Sequence, residues 1–233
     1  MKSLRIQGYV AFSFATYVTG ILVFTLFRII LFISEYDRYT SLPEDRISLS
    51  LQSFIMGWRF DTVISAYLLI IPFIIIALTK FINWHPKKLH RFLSLFTGLL
   101  YTTAFLVSAV DIPYFKQFFS RFTIAAFAWM DTPAFVIKMA FQEPMYWIVL
   151  FPFIGLCIFF WKRLARYRKK WLDHQETNFQ FSLPALLWFV PTAALLLLGA
   201  RGRLEQKSPI RIGTAYFSNH AFPNQLGLNP TYT

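Results

Sequence analysis

The sequence predicts an all-α membrane protein of five transmembrane helices plus interfacial helices, with the N-terminus inside and the C-terminus outside. Three observations carry this. Five long apolar stretches recur along the 233 residues, each near the ~20 apolar residues a helix needs to cross a bilayer core. Hydrophobic residues make up 56% of the chain and charged residues 15%, where a soluble domain carries about 25% charged residues. The basic residues also crowd into alternate loops, the pattern that sets membrane orientation. Aromatics reach 20%, with 28 Phe; a soluble surface would expose such a load as sticky patches, whereas lipid-facing and interfacial surfaces accept it.

The first stretch runs from Tyr9 to Phe32 behind a short basic start containing Lys2 and Arg5. It is too long for the apolar part of a cleavable signal, and no small-residue cleavage site follows. The second runs from Thr62 to Leu78 and contains Pro72. The third runs from Phe92 to Val110, the fourth from Met145 to Trp161 with Pro152, and the fifth from Phe181 to Leu198 with Pro184 and Pro191. Proline is tolerated in a span where neighbours satisfy the freed carbonyl, and is expected here to kink the helices. With the amino terminus inside, the inner segments hold twelve Lys/Arg against two acids, and the outer segments hold the remaining eleven against nine.

Two outer segments are unusual. Residues 34–61 are too many for a simple turn. Residues 112–143 interleave Phe115, Phe118, Phe119, Phe122, Phe127, Trp129, Phe135 and Phe141 with Lys116, Arg121, Asp131 and Lys138. Phe115, Phe118, Phe119 and Phe122 follow helical spacing, which predicts one aromatic face on a helix lying in the membrane interface. A sixth span over Phe122–Met139 is the alternative, opposed by Asp131 beside Pro133 and by the charge asymmetry it would spoil. After residues 1–200, the five-span domain, residues 201–233 are rich in Arg, Asn, Ser and Pro and read as a polar, extended, extracytoplasmic linker.

The net charge of +12 does not point to nucleic acid, because the basic residues sit beside spans and no binding module is visible. Cys157 has no partner for an internal disulfide. His85, His90, His174 and His220 show no ligand spacing, so no metal site is expected within this chain. With no phosphate loop, nucleophile elbow or paired carboxylates, no catalytic residue is assigned.

The candidates are charges at membrane edges, read as a lipid head-group site. Arg28, near the outer end of the first span, either snorkels to the surface or contacts an anionic head group or Asp61. Arg59 and Asp61 either form a local ion pair or hold a lipid phosphate, the arginine gripping it and Asp61 orienting it. Arg201 and Arg203 are interface anchors or complete a phosphate-binding ring with Arg59.

The order of five spans, the Gly57-Trp-Arg59-Phe60-Asp61 start of the second, and the closing Ala215-Tyr-Phe-Ser218-Asn219, Phe222-Pro-Asn224-Gln-Leu226 and Leu228-Asn229-Pro230 resemble the membrane part of the lipoteichoic acid synthase-like phosphoglycerol transferases. These belong to the sulfatase and alkaline-phosphatase superfamily. The resemblance implies an N-terminal membrane domain in the plasma membrane of a bacterium. It also implies a following extracytoplasmic catalytic domain, absent from this chain, with a Thr nucleophile and manganese or magnesium. That enzyme would move phosphoglycerol or a similar group from a lipid to an acceptor. Its catalytic motif matches nothing here, so the chain alone is expected to be inactive, a fragment whose partners are membrane lipids and its own missing domain. The rivals are a multi-pass transporter, opposed by the scarcity of mid-span charges and of inverted repeats, and a scaffold acting through the basic inner loops.

Overall fold

A computed structural model describes residues 7–41, 45–82, 84, 86–124, 142–173, 183–206 and 208–233. Among them every regular element is helical. In order these are α1 (Gly8–Ser34), α2 (Tyr36–Thr40), α3 (Arg46–Phe81), α4 (Lys87–Phe118), α5 (Pro144–Trp171), α6 (Leu183–Arg201), a 3₁₀ turn (Ile212–Ala215) and α7 (Ala221–Leu226). Four of them, α1, α3, α4 and α5, are long and apolar enough to cross a membrane.

The helices outrun the apolar stretches that predict them. At 36 residues, α3 is about 54 Å long, and its first sixteen residues replace much of what reads as an outer loop. Pro72, Pro113, Pro152 and Pro191 all sit inside helices. The aromatic face expected over 115–122 is not formed. α4 ends at Phe118, and Phe119 turns left-handed (φ 56°), so Phe122 leaves the helix. Phe115 is buried, whereas Phe118 and Phe119 are more than half exposed. Phe127, Trp129, Asp131, Phe135, Lys138 and Phe141, residues 125–139 of the alternative sixth span, Phe181, Lys2, Arg5, His85 and His174 lie outside the described residues.

The chain forms two compact units, one of Met1–Ile21, Thr62–Thr102 and Ile158–Ser208, the other of Leu22–Asp61, Thr103–Cys157 and Pro209–Thr233. In the first, Tyr9 packs on Phe73 and Phe73 stacks on Phe189 with ring centroids 5.6 and 5.5 Å apart. Hydroxyls tie its helices together: Tyr17 to Thr62 at 2.9 Å, Thr19 to Tyr167 at 3.0 Å, and Trp161 Nε1 donating to Thr102 at 3.0 Å. Such bonds and close packing replace the hydrophobic drive that lipid does not supply. Gly20 and Gly98 admit the Tyr101 and Trp161 rings, which would lie 2.3 and 2.5 Å from a Cβ at those positions.

In the second unit the core is aromatic, with Phe24 edge-on to Phe105 and Phe32 packed among Tyr39, Phe54 and Phe222. The polar segment 209–233 belongs to this core and is not extended. Ile210, Ala215, Leu226 and Leu228 are each no more than 2% exposed, and Asn224 and Asn229 are buried with them.

Candidate functional site

Four charged side chains are buried together in the second unit. Arg28 on α1 is 5% exposed, Asp61 on α3 and Asp111 on α4 are fully buried, and Arg121, just past α4, is 5% exposed. A buried charge is tolerated only when paired and fully hydrogen-bonded, and each of these is. Arg28 Nη1 and Nη2 donate to the two Asp61 oxygens, both at 2.8 Å, the two-pronged geometry that suits guanidinium and carboxylate. Asn229 Nδ2 donates to Asp61 Oδ1 at 2.8 Å, and Arg28 Nε donates to the Leu226 carbonyl at 3.1 Å.

The second pair joins Arg121 Nη1 to Asp111 Oδ2. Asp111 Oδ1 accepts the Phe122 backbone N–H at 2.6 Å, so one carboxylate holds both the arginine and the chain that carries it. The remaining donors of Arg121 reach the carboxyl-terminal segment: Nε to the Gln225 carbonyl at 2.7 Å, and Nη2 to those of Leu226 at 3.3 Å and Leu228 at 3.0 Å. Burial lowers the pKa of this guanidinium, and Asp111 pulls it back up; an arginine still stays charged at neutral pH. Both arginines thus share the Leu226 carbonyl, and Arg28, Asp61, Asp111 and Arg121 form one clasp around residues 225–229, with Asn229 of that segment bonded into it.

Smaller bonds extend it. Ser53 donates to the Pro223 carbonyl at 2.9 Å, Thr231 to that of Ala104 at 3.2 Å, and Thr233 to that of Phe122 at 2.8 Å. Phe60 packs edge-on to Tyr232, centroids 4.9 Å apart. Asn224 closes its own turn, accepting from Ser218 N at 3.0 Å and donating to Ser218 O at 2.7 Å.

Of the sequence candidates, the structure unites Arg28 with Asp61, one of the two contacts open to Arg28; with its side chain buried, the snorkelling alternative does not hold. The local Arg59–Asp61 ion pair is also corrected. Two residues apart on a continuous helix, these side chains point about 200° apart. Arg59 instead lies half-buried, its Nη1 3.9 Å from Met56 Sδ. Arg201 and Arg203 belong to the other unit, where Arg201 Nη2 donates to the Glu205 carbonyl at 2.9 Å. Asp111 and Arg121 are not among the sequence candidates, and Asn229 stands there only as part of the closing motif. A signal was available: an acid at the very end of an apolar stretch, followed ten residues later by a lone arginine among aromatics. Among the described residues no cluster of His, Cys, Asp and Glu is arranged to hold a metal ion.

Gly57 explains why the motif opens with glycine. A Cβ there would lie 2.2 Å from Arg28 Cζ and 2.4 Å from its Nε. The guanidinium is the end of a flexible side chain, but two bonds to Asp61 fix it. Gly57→Ala is therefore expected to destabilise the protein by about 1–3 kcal/mol, the usual cost of overpacking, which thermal unfolding in detergent would measure.

No protein-family model, curated protein or solved structure matches this chain.

Proposed function

We propose that the chain is the membrane domain of a lipoteichoic acid synthase-like transferase, crossing the plasma membrane of a bacterium five times with its amino terminus inside and carboxyl terminus outside. Its task is to anchor an extracytoplasmic catalytic domain, which would carry the Thr nucleophile and the manganese or magnesium, and to present lipid substrate to it. The observation that supports this is the clasp. A plain tether needs no fixed structure, and burying four charges to hold one is costly unless the direction of the held segment matters. The motif residues Gly57, Phe60, Asp61 and Asn229 all take part in that grip.

The fifth crossing is α6. Its 19 residues extend about 28 Å, close to the ~30 Å hydrocarbon core, and it ends at Arg201. Arg28 and Asp61 are engaged by each other and by residues 226 and 229, which takes them out of the proposed contact to lipid phosphate; Arg59 in one unit and Arg201 and Arg203 in the other are each proposed for it on their guanidinium chemistry alone. Buried ion pairs inside long apolar helices also occur in transporters, but here they are saturated by backbone carbonyls of the same chain.

An epitope placed after Thr233 tests the layout. It is expected to be digested by protease added to intact spheroplasts, while a tag ahead of Met1 survives. Protection of the carboxyl-terminal tag would overturn the orientation and the anchoring role with it. The reading frame downstream of codon 233 tests the transferase: acidic and His metal-ligand motifs support it, and a stop codon in an intact gene favours a scaffold.

A further inference from the structure

The first half of α5 is thinly covered. Among the described residues, 17% of the most apolar window of α5 is buried, against 44% to 56% in α1, α3 and α4. Between this half and the second half of α4 lies a groove of about 200 Å³. Its floor is made of small or buried side chains, Ala109 at 6% and Val149 at 3% exposure, and its walls include Leu106 and Leu150, both exposed along their edges. Both helices are of membrane-crossing length and hydropathy, which makes lipid the natural neighbour of an apolar groove between them.

The groove also has a direction. Tyr146 and Trp147 line it at the start of α5; their amphipathic rings suit the level of the head groups. Just beyond, Gln117 Nε2 approaches Glu143 Oε2 at 3.5 Å, giving that end a polar rim. At the other end Phe153 closes an apolar wall. A slot polar at one end and apolar along its length matches the layout of a lipid: ester and head group at the rim, alkyl chain along the floor. In a bilayer the drive for occupancy is close van der Waals contact, which a flexible alkyl chain makes along a narrow apolar floor.

We propose that this groove holds the first part of one acyl chain of a membrane lipid, its glycerol end beside Tyr146 and Trp147 and the chain running the roughly 10 Å to Phe153. The proposal deepens the membrane-domain reading but does not depend on which way the chain faces or on the transferase assignment. It gives the second unit a lipid site of its own.

The test uses the full chain in nanodiscs containing phosphatidylcholine with a diazirine on its acyl chain, a net-neutral head group that makes labelling report the chain alone. Peptides are mapped by mass spectrometry. Labelling at Leu106–Val110 and Trp147–Phe153 is expected to exceed severalfold that at the exposed α1 residues Phe14 and Leu22. Ala109→Phe is expected to bring it down to the α1 level and the milder Ala109→Leu to an intermediate level, with α1 labelling unchanged in both as the sign of an intact fold. Labelling of the groove no higher than of α1, or insensitive to both substitutions, would overturn the site. So would a photoreactive residue at Leu150 that cross-links to protein instead of lipid. Because nanodisc labelling does not depend on which side either terminus faces, failure here and failure of the protease test are separate results.

Discussion

Asp61→Ala is expected to cost about 3–5 kcal/mol, the scale measured when one partner of a buried ion pair is removed. The substitution leaves Arg28, 5% exposed, with its charge uncompensated, and takes from Asn229 the acceptor of its Nδ2. The damage should spread to the carboxyl-terminal segment, because Arg28 also holds the Leu226 carbonyl. Hydrogen exchange would show this as lost protection at residues 225–229, with the first unit, centred on Tyr101 and Phe160, unchanged. Arg28→Met combined with Asp61→Leu should recover part of the loss, since exchanging both partners for apolar groups removes the unpaired charge. If Asp61→Ala left the segment as protected as in the parent protein, the clasp would not be what holds it.

Arg121→Ala should be at least as severe, again about 3–5 kcal/mol for the broken pair with Asp111. Here the carbonyls of Gln225 and Leu228 lose their Arg121 donor together, and that of Leu226 is left with Arg28 alone. Lysine should rescue little. Its ammonium is a single point of charge and cannot place separate donors on a carboxylate and three carbonyls in the way a planar guanidinium does. Limited proteolysis reads the outcome directly: cleavage between Pro209 and Thr233 is expected in Arg121→Ala and Arg121→Lys alike. Equal resistance in the lysine variant would mean that charge, and not the fork of donors, is what matters at this position.

The apolar stretches were legible because lipid demands them, and the four longest helices lie where those stretches are. Their ends were not. Hydropathy falls at Asp61 and at Asp111, so each stretch appears to stop there, yet α3 and α4 run through both acids. Each carboxylate is neutralised by an arginine distant in sequence, 33 residues away for Asp61 and 10 for Asp111, and no local pattern announces that. The aromatic spacing over 115–122 misled for a related reason. Helical periodicity assumes the helix continues, whereas Phe119 takes a left-handed conformation and Arg38 lies over its ring at 3.9 Å.

The site was half legible. The Gly57-to-Asp61 motif and the Asn-rich close stand out as residues, and Arg28 with Asp61 is a pairing the sequence allows. Their meeting at Asn229 is not readable, because Asn before Pro looks like an ordinary turn. Least visible were the carbonyls of residues 225, 226 and 228, since a backbone oxygen has no letter in the alphabet.

That last point bears on how such a protein would diverge. Arginine grips main-chain oxygens, which every amino acid supplies, so Gln225 can be exchanged without loosening the hold. Selection would press instead on the four gripping side chains, on Asn229 and on Gly57. Among distant cousins, the held segment should drift in spelling while keeping its shape, and kinship would be easier to detect by superposition than by alignment.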